Sequence, residues 1–144
     1  MEKYSFNAEQ VANDLIQWTK DWFAQNGANA NVVVGMSGGK DSTVAAAILC
    51  KALGADRVIG VAMPDVESGQ GLNDADKICE YLGIKFLNVS VSAGCKGVSE
   101  SVKAAGIELS QQSEQNIPPR IRMTTLYAIS QSNNGRVVNT CNLS

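Results

Sequence analysis

Two hydrophobic rhythms alternate along this chain. Across residues 7–26 the apolar residues Val11, Leu15, Trp18 and Trp22 recur at steps of four, three and four, the stripe of an amphipathic helix. Asn7 can cap that helix, with Gln10 three residues on, and Gly27 stops it. Two tryptophans in one stripe could form an aromatic platform for a ligand. Packing in the core or against another subunit is the plainer use, and the face could also cover a partner. The rhythm then changes to continuous apolar runs: V-V-V at Val32 to Val34, R-V-I-G-V-A-M-P from Arg57 to Pro64 and K-F-L-N-V-S-V from Lys85 to Val91. Such runs read as strands buried on both faces, as in a parallel sheet. Between them lie an Ala-rich helix from Asp41 to about Leu53, ended by Gly54, and a helix capped by Asn73 and ended by Gly83. Asp65 to Gly71 is polar with two glycines and reads as a mobile loop at the carboxyl end of the second strand.

The second half is less periodic. Val98, Val102 and Ala105 suggest a short helix before Gly106. The run E-L-S-Q-Q-S-E-Q-N reads as loop, and Ser92 to Gln115 is where disorder is expected. Pro118-Pro119 ends what precedes and can start a helix reaching about Ser132. That would put Arg120, Arg122 and Met123 in or near a first turn, where positive charge opposes the helix dipole. An unfavourable placement hints at an anion to bind; the ordinary alternative is two solvated arginines. Asn133-Asn134-Gly135 is a turn, and Arg136 to Asn139 begins a fourth strand. The order β-α-β-α-β predicts an α/β fold, a doubly wound parallel sheet with helices on both faces, in a single domain over residues 1–144. Ligands of such sheets sit beyond the carboxyl ends of the strands, where the strand order reverses. If strand four lies beside strand one on the side away from strand two, Thr140 faces the loop after strand one.

Composition narrows the function. A net charge of −2 gives no bulk attraction to nucleic acid or anionic membrane. No apolar run approaches a membrane span and the N-terminus lacks a signal peptide's apolar core, so a cytoplasmic protein is expected. The four cysteines (Cys50, Cys79, Cys95, Cys141) form no C-x-x-C pair and read as reduced, mostly buried thiols. The absence of histidine argues against a zinc site and excludes any histidine-dependent triad or base within the chain.

The candidate chemistry lies in G-M-S-G-G-K-D-S, Gly35 to Ser42, between the first strand and the Ala-rich helix. Glycines there let backbone amides approach phosphate oxygens, and the helix N-terminus favours negative charge. Ser37, Ser42 and Thr43 can add hydroxyls and Lys40 a charge. Asp41 would repel a phosphate unless a cation lay between them, so it reads as a Mg²⁺ ligand. The string is neither G-x-x-x-x-G-K-[ST] nor G-x-G-x-x-G.

It resembles the pyrophosphate loop, S-G-G-x-D-S, of the ATP pyrophosphatase superfamily. Together with R-V-I-G-V-A-M-P, N-x-x-x-R-x-R-M (Asn116 to Met123) and V-V-N-T (Val137 to Thr140), it is similar to ammonia-dependent NAD synthetase, over residues 7–144. The resemblance implies an adenine nucleotide alpha hydrolase-like fold, incomplete on its C-terminal side, because family members continue past Ser144 with a second acidic Mg²⁺ ligand and later nucleotide contacts. It implies that ATP adenylates the nicotinate carboxylate of deamido-NAD, releasing pyrophosphate, and that ammonia then displaces AMP to give NAD. ATP would be bound by Gly35, Met36, Ser37, Gly38, Gly39, Lys40, Asp41, Ser42 and Thr140, deamido-NAD by Arg120, and Mg²⁺ by Asp41, in a homodimer. No protein nucleophile is implied. Two alternatives stay open: a nucleotide-binding module without turnover, and another pyrophosphate-loop adenylating ligase.

Overall fold

The computed structural model describes residues 6–66 and 74–140. Helix α1 (Ala8–Asn26) begins as its sequence predicts: the Asn7 side chain accepts from the Gln10 amide at 3.1 Å, and the Gly27 amide closes the last turn on the Phe23 carbonyl. There follow β1 (Asn31–Gly35), α2 (Lys40–Leu53), a short 3-10 turn, β2 (Val58–Ala62), α3 (Ala75–Leu82), β3 (Lys85–Asn88), α4 (Ser92–Ala104), α5 (Gln111–Ser132) and β4 (Gly135–Val138).

All the strand pairs are parallel, in the order β3-β2-β1-β4. The chain therefore builds outward from β1 to β3, then returns to the other side of β1, which makes the β1–β4 boundary the reversal point. Alternation along the strands divides the core. Val32, Val34, Val58 and Ala62 face α1, α2 and α3, together with Phe23, Met36, Ala46, Leu49 and Cys79. Val33, Ile59 and Val61 face the other way, onto Leu126 and Ile129 of α5. The doubly wound architecture is thus as predicted. Gly60 permits the close approach on the first face: a Cβ there would lie 2.7 Å from Cys79 Sγ and 3.0 Å from Met36 Cγ. Among the described residues no helix is long and apolar enough to cross a membrane.

Four expectations need correction. The α1 stripe of Val11, Leu15, Trp18 and Trp22 is not part of this chain's core; Trp18 is 63% exposed. The packed face is Ala12, Ile16, Thr19 and Phe23, the same spacing displaced by one residue. Both stripes carry apolar residues, so periodicity alone could not choose between faces 100° apart. Second, residues 111–116 are helix rather than loop. Ser110 caps α5, accepting from the Ser113 amide, and Glu114 lies in the first turn, where the dipole favours it. Third, Pro118 and Pro119 lie inside α5 and do not begin it. Arg120 and Arg122 are therefore mid-helix, and the argument from an opposing dipole does not apply to them. A helix of 22 residues is about 33 Å long, whereas a strand of five spans about 17 Å. The N-terminal half of α5 overshoots the sheet, so it has no core to face and shows no apolar period. Fourth, Asp65 is buried and tied down: Ser92 Oγ donates to its Oδ1 at 3.0 Å and receives the Val66 amide at 3.1 Å. The rest of the expected loop, residues 67–71, and the cap Asn73 lie outside the described residues, as does Cys141.

Candidate functional site

The glycine loop emerges from β1 at the carboxyl end of the sheet. A Cβ on Gly35 would touch the Met63 and Leu126 side chains. Met36 continues the pairing with β2, its amide donating to the Val61 carbonyl at 2.8 Å, and its side chain is buried in the core. It therefore fixes where the loop starts and has no N–H left for a ligand. Ser37 is exposed. Gly38 takes φ +75°, a left-handed conformation that favours glycine. Gly39 is the N-cap of α2, without a side-chain cap bond.

The loop's hydroxyls hold its own backbone. Ser42 is only 3% exposed; its Oγ donates to the Gly39 carbonyl at 3.1 Å, accepts from the Ser37 amide at 3.4 Å and lies 3.2 Å from Ser37 Oγ. Thr43 Oγ1 also donates to the Gly39 carbonyl, at 2.9 Å. What the loop turns outward is the start of a helix. The amides of the first turn have no intrahelical carbonyl to meet, and Lys40 and Asp41 are exposed beside them. This is a cradle for an anion, with the positive end of the dipole behind it.

Thr140 stands next to this cradle across the reversal point. Register pairs Val34 with Val138, so Thr140 follows β4 by the same two residues by which Met36 follows Val34. It is half-buried. Arg120 lies further out on α5 and is exposed; its Nη1 donates to the Asn116 carbonyl at 3.0 Å. With Gln112, Ser113, Asn116 and Ile117 it lines an open cavity of about 310 Å³. The structure thus gathers the loop and Thr140 at one sheet end and gives Arg120 a separate recess on the overshooting helix.

For Arg122 the sequence offered an anion contact or a solvated arginine, both argued from a first-turn placement that the structure does not give it. Arg122 is half-buried, and its Nε donates to the Met63 carbonyl at 3.0 Å, just past the carboxyl end of β2. Its signal was the spacing Arg122, Leu126, Ile129, which puts it on the sheet-facing side of α5.

Asp41 fits a Mg²⁺ ion held mainly by phosphate and water: it offers one exposed carboxylate beside an anion cradle, and Mg²⁺ commonly takes only one or two protein carboxylates. Among the described residues no cluster of three acidic or thiol side chains offers a self-sufficient metal cage. Cys50 and Cys79 are unsuited to nucleophilic chemistry. Burial, with the Asp76 charge and the neighbouring Cys50 adding to it, pushes Cys79 up to about 11, and burial also raises Cys50. A thiol at that value is almost wholly protonated at neutral pH and a poor nucleophile.

Comparison with known proteins gives the family. The family model described as NAD synthase matches residues 11–144. The NH(3)-dependent NAD(+) synthetase of Methanococcus aeolicus is 34% identical over 139 residues, covering 96% of this chain and 54% of that protein. Among solved structures, an NAD+ synthetase from Burkholderia pseudomallei superposes with a TM-score of 0.80 at 25% identity, over 95% of this chain and 54% of that one. An NMN synthetase from Francisella tularensis gives 0.79 at 27% identity, over 96% and 56%. The chain spans about half the length of these relatives. With the family model covering nearly all of it, the chain belongs to the NAD synthase family.

Proposed function

We propose that this chain carries the ATP-binding part of an amide-forming ligase that converts deamido-NAD to NAD. The observation that carries the reading is the glycine loop with Asp41, opening onto the reversal point of a parallel sheet. In this reading the substrate carboxylate attacks the α-phosphorus of ATP, the bond to pyrophosphate breaks, and ammonia then attacks the acyl carbon and expels AMP. The nucleophiles come from the substrates, so a chain without histidine suffices.

The protein's task is to gather negative charge and hold it still. Gly38, Gly39 and the first-turn amides of α2 receive the phosphates, the Ser42 and Thr43 hydroxyls keep the loop in shape, and Thr140 contacts the nucleotide from β4. Asp41 would hold Mg²⁺, which neutralises phosphate charge when bound. Arg120 would bind the acidic dinucleotide in its own recess. A homodimer is part of this reading, supported by the apolar stripe that α1 leaves exposed.

The test is an NAD-formation assay with deamido-NAD, ATP, Mg²⁺ and ammonia, run beside calorimetric ATP titrations of the wild type and Asp41→Asn. Asp41→Asn is expected to weaken Mg²⁺-dependent ATP binding by about 10- to 100-fold, the loss of a charge-assisted contact. Equal affinity of the two proteins at limiting and saturating Mg²⁺ removes the metal role. ATP binding with no NAD formed favours a nucleotide-binding module without turnover, for which the half-length match is the supporting observation. Turnover of the acid form of NMN instead favours the mononucleotide reaction suggested by the Francisella relative's name.

A further inference from the structure

We propose that Arg122 is a further residue of the nucleotide site, a positive charge held over the sheet end to offset the β- and γ-phosphates. The inference rests on the nucleotide reading above and adds a residue from the opposite face of the sheet.

The glycine loop and α2 approach the sheet end from the face of Val32 and Val34. Helix α5 approaches from the face of Val33. A Cβ on Gly35, the first residue of the loop, would lie 3.5 Å from Leu126 Cδ1 and 3.4 Å from Met63 Cε. One turn earlier on α5, about 6 Å further along the helix axis, Arg122 Nε donates to the Met63 carbonyl. The side chain is thereby anchored where β2 ends, one strand from the loop. An anion on the α2 N-terminus has backbone amides on one side and this guanidinium on the other.

Arg120 cannot do the same work. Two residues apart on a helix is a turn of about 200°, so the two side chains diverge. Arg120 is exposed and lines the outer recess, while Arg122 is half-buried against the sheet. The pair divides its charge between two ligands: Arg122 serves the triphosphate and Arg120 the second substrate. An arginine suits the inner position because its planar guanidinium can keep one N–H on a carbonyl while its delocalised charge faces a phosphate.

The test compares Arg122→Gln and Arg122→Lys with the wild-type chain, titrating α,β-methylene-ATP with Mg²⁺, and separately AMP, by calorimetry. Melting curves are recorded for each protein. Arg122→Gln is expected to bind α,β-methylene-ATP about 10- to 100-fold more weakly and AMP within about twofold. Arg122→Lys, which keeps the charge and gives up the fixed Nε bond, should recover part of the loss. An unchanged α,β-methylene-ATP affinity in the glutamine variant overturns the proposal and leaves the nucleotide reading intact. Equal losses for α,β-methylene-ATP and AMP, or a lysine variant no better than the glutamine one, overturn it in favour of a purely structural anchor. If the glutamine variant does not fold, the lysine variant decides through the same ratio of the two ligands. A wild-type chain that binds neither ligand removes the nucleotide reading and this inference with it.

Discussion

The two ends of the sheet use the same residue types for opposite purposes. At the amino end, Arg57 donates to the Ala30 carbonyl through Nε (3.1 Å) and Nη2 (2.6 Å), and its guanidinium lies 5.8 Å from the centre of the Phe23 ring. Arg136 donates to the Asn26 and Gly135 carbonyls. Asn31 and Asn134 tie the same turns together. Two positive charges thus sit where the α1 dipole is negative, their donors turned onto the protein's own backbone. At the carboxyl end the dipole of α2 presents its positive side, the cap is a glycine, and Lys40, Asp41 and Arg120 are exposed. Polar groups turned inward make a joint; polar groups turned outward at a helix N-terminus make a binding surface. An arginine's meaning in this fold is set by which end of the sheet it reaches.

Four substitutions press on that contrast. The largest effect is expected at the amino end: Arg57→Ala removes a charged donor from the Ala30 and Gly27 carbonyls and should lower stability by about 2–3 kcal/mol, read as a shift in the urea midpoint. ATP affinity of the folded protein should stay within about twofold, and a loss comparable to that of Asp41→Asn would erase the distinction between the ends. Next, Arg120→Ala should weaken deamido-NAD by about 10- to 100-fold, the loss of a charge-assisted contact, with ATP nearly unaffected. Calorimetry with each ligand measures this, and parallel losses would mean a disturbed helix rather than a lost contact. The smallest and sharpest is a pair of glycines. Gly38 and Gly83 both have positive φ, +75° and +67°, and Gly83 faces open space. Alanine at either should cost about 1–2 kcal/mol of stability. Gly38→Ala should also weaken ATP by about tenfold, and Gly83→Ala should not. Equal ATP affinities in the two variants would show that the loop's shape does not matter to the ligand.

Much of this fold was legible because its signals are local. Asn7 with Gln10, Gly27, Gly54 and Gly83 end or begin helices through their own backbone geometry. The apolar runs at Val32 and Val58 become strands buried on both faces because helices cover both faces. The loop from Gly35 to Ser42 was legible for the same reason: a strand, glycines and a helix start lie within eight residues. The second half was read poorly where its structure depends on overhang. Residues 111–119 carry no apolar period and two prolines, yet they are helix, because Ser110 caps the start and Ile121 locks the middle against Gly94 of α4.

The residues alone therefore decide most of the elements and the strand–glycine–helix junction of the loop. Packing decides which of two neighbouring apolar stripes of α1 faces inward, since a 100° rotation leaves the spacing unchanged. It decides that the fourth strand joins β1 and brings Thr140 level with the loop, a pairing across 104 residues that no local pattern encodes. It also separates Arg120 from Arg122, because only a helix laid along the sheet gives one of them the strand end and the other the solvent.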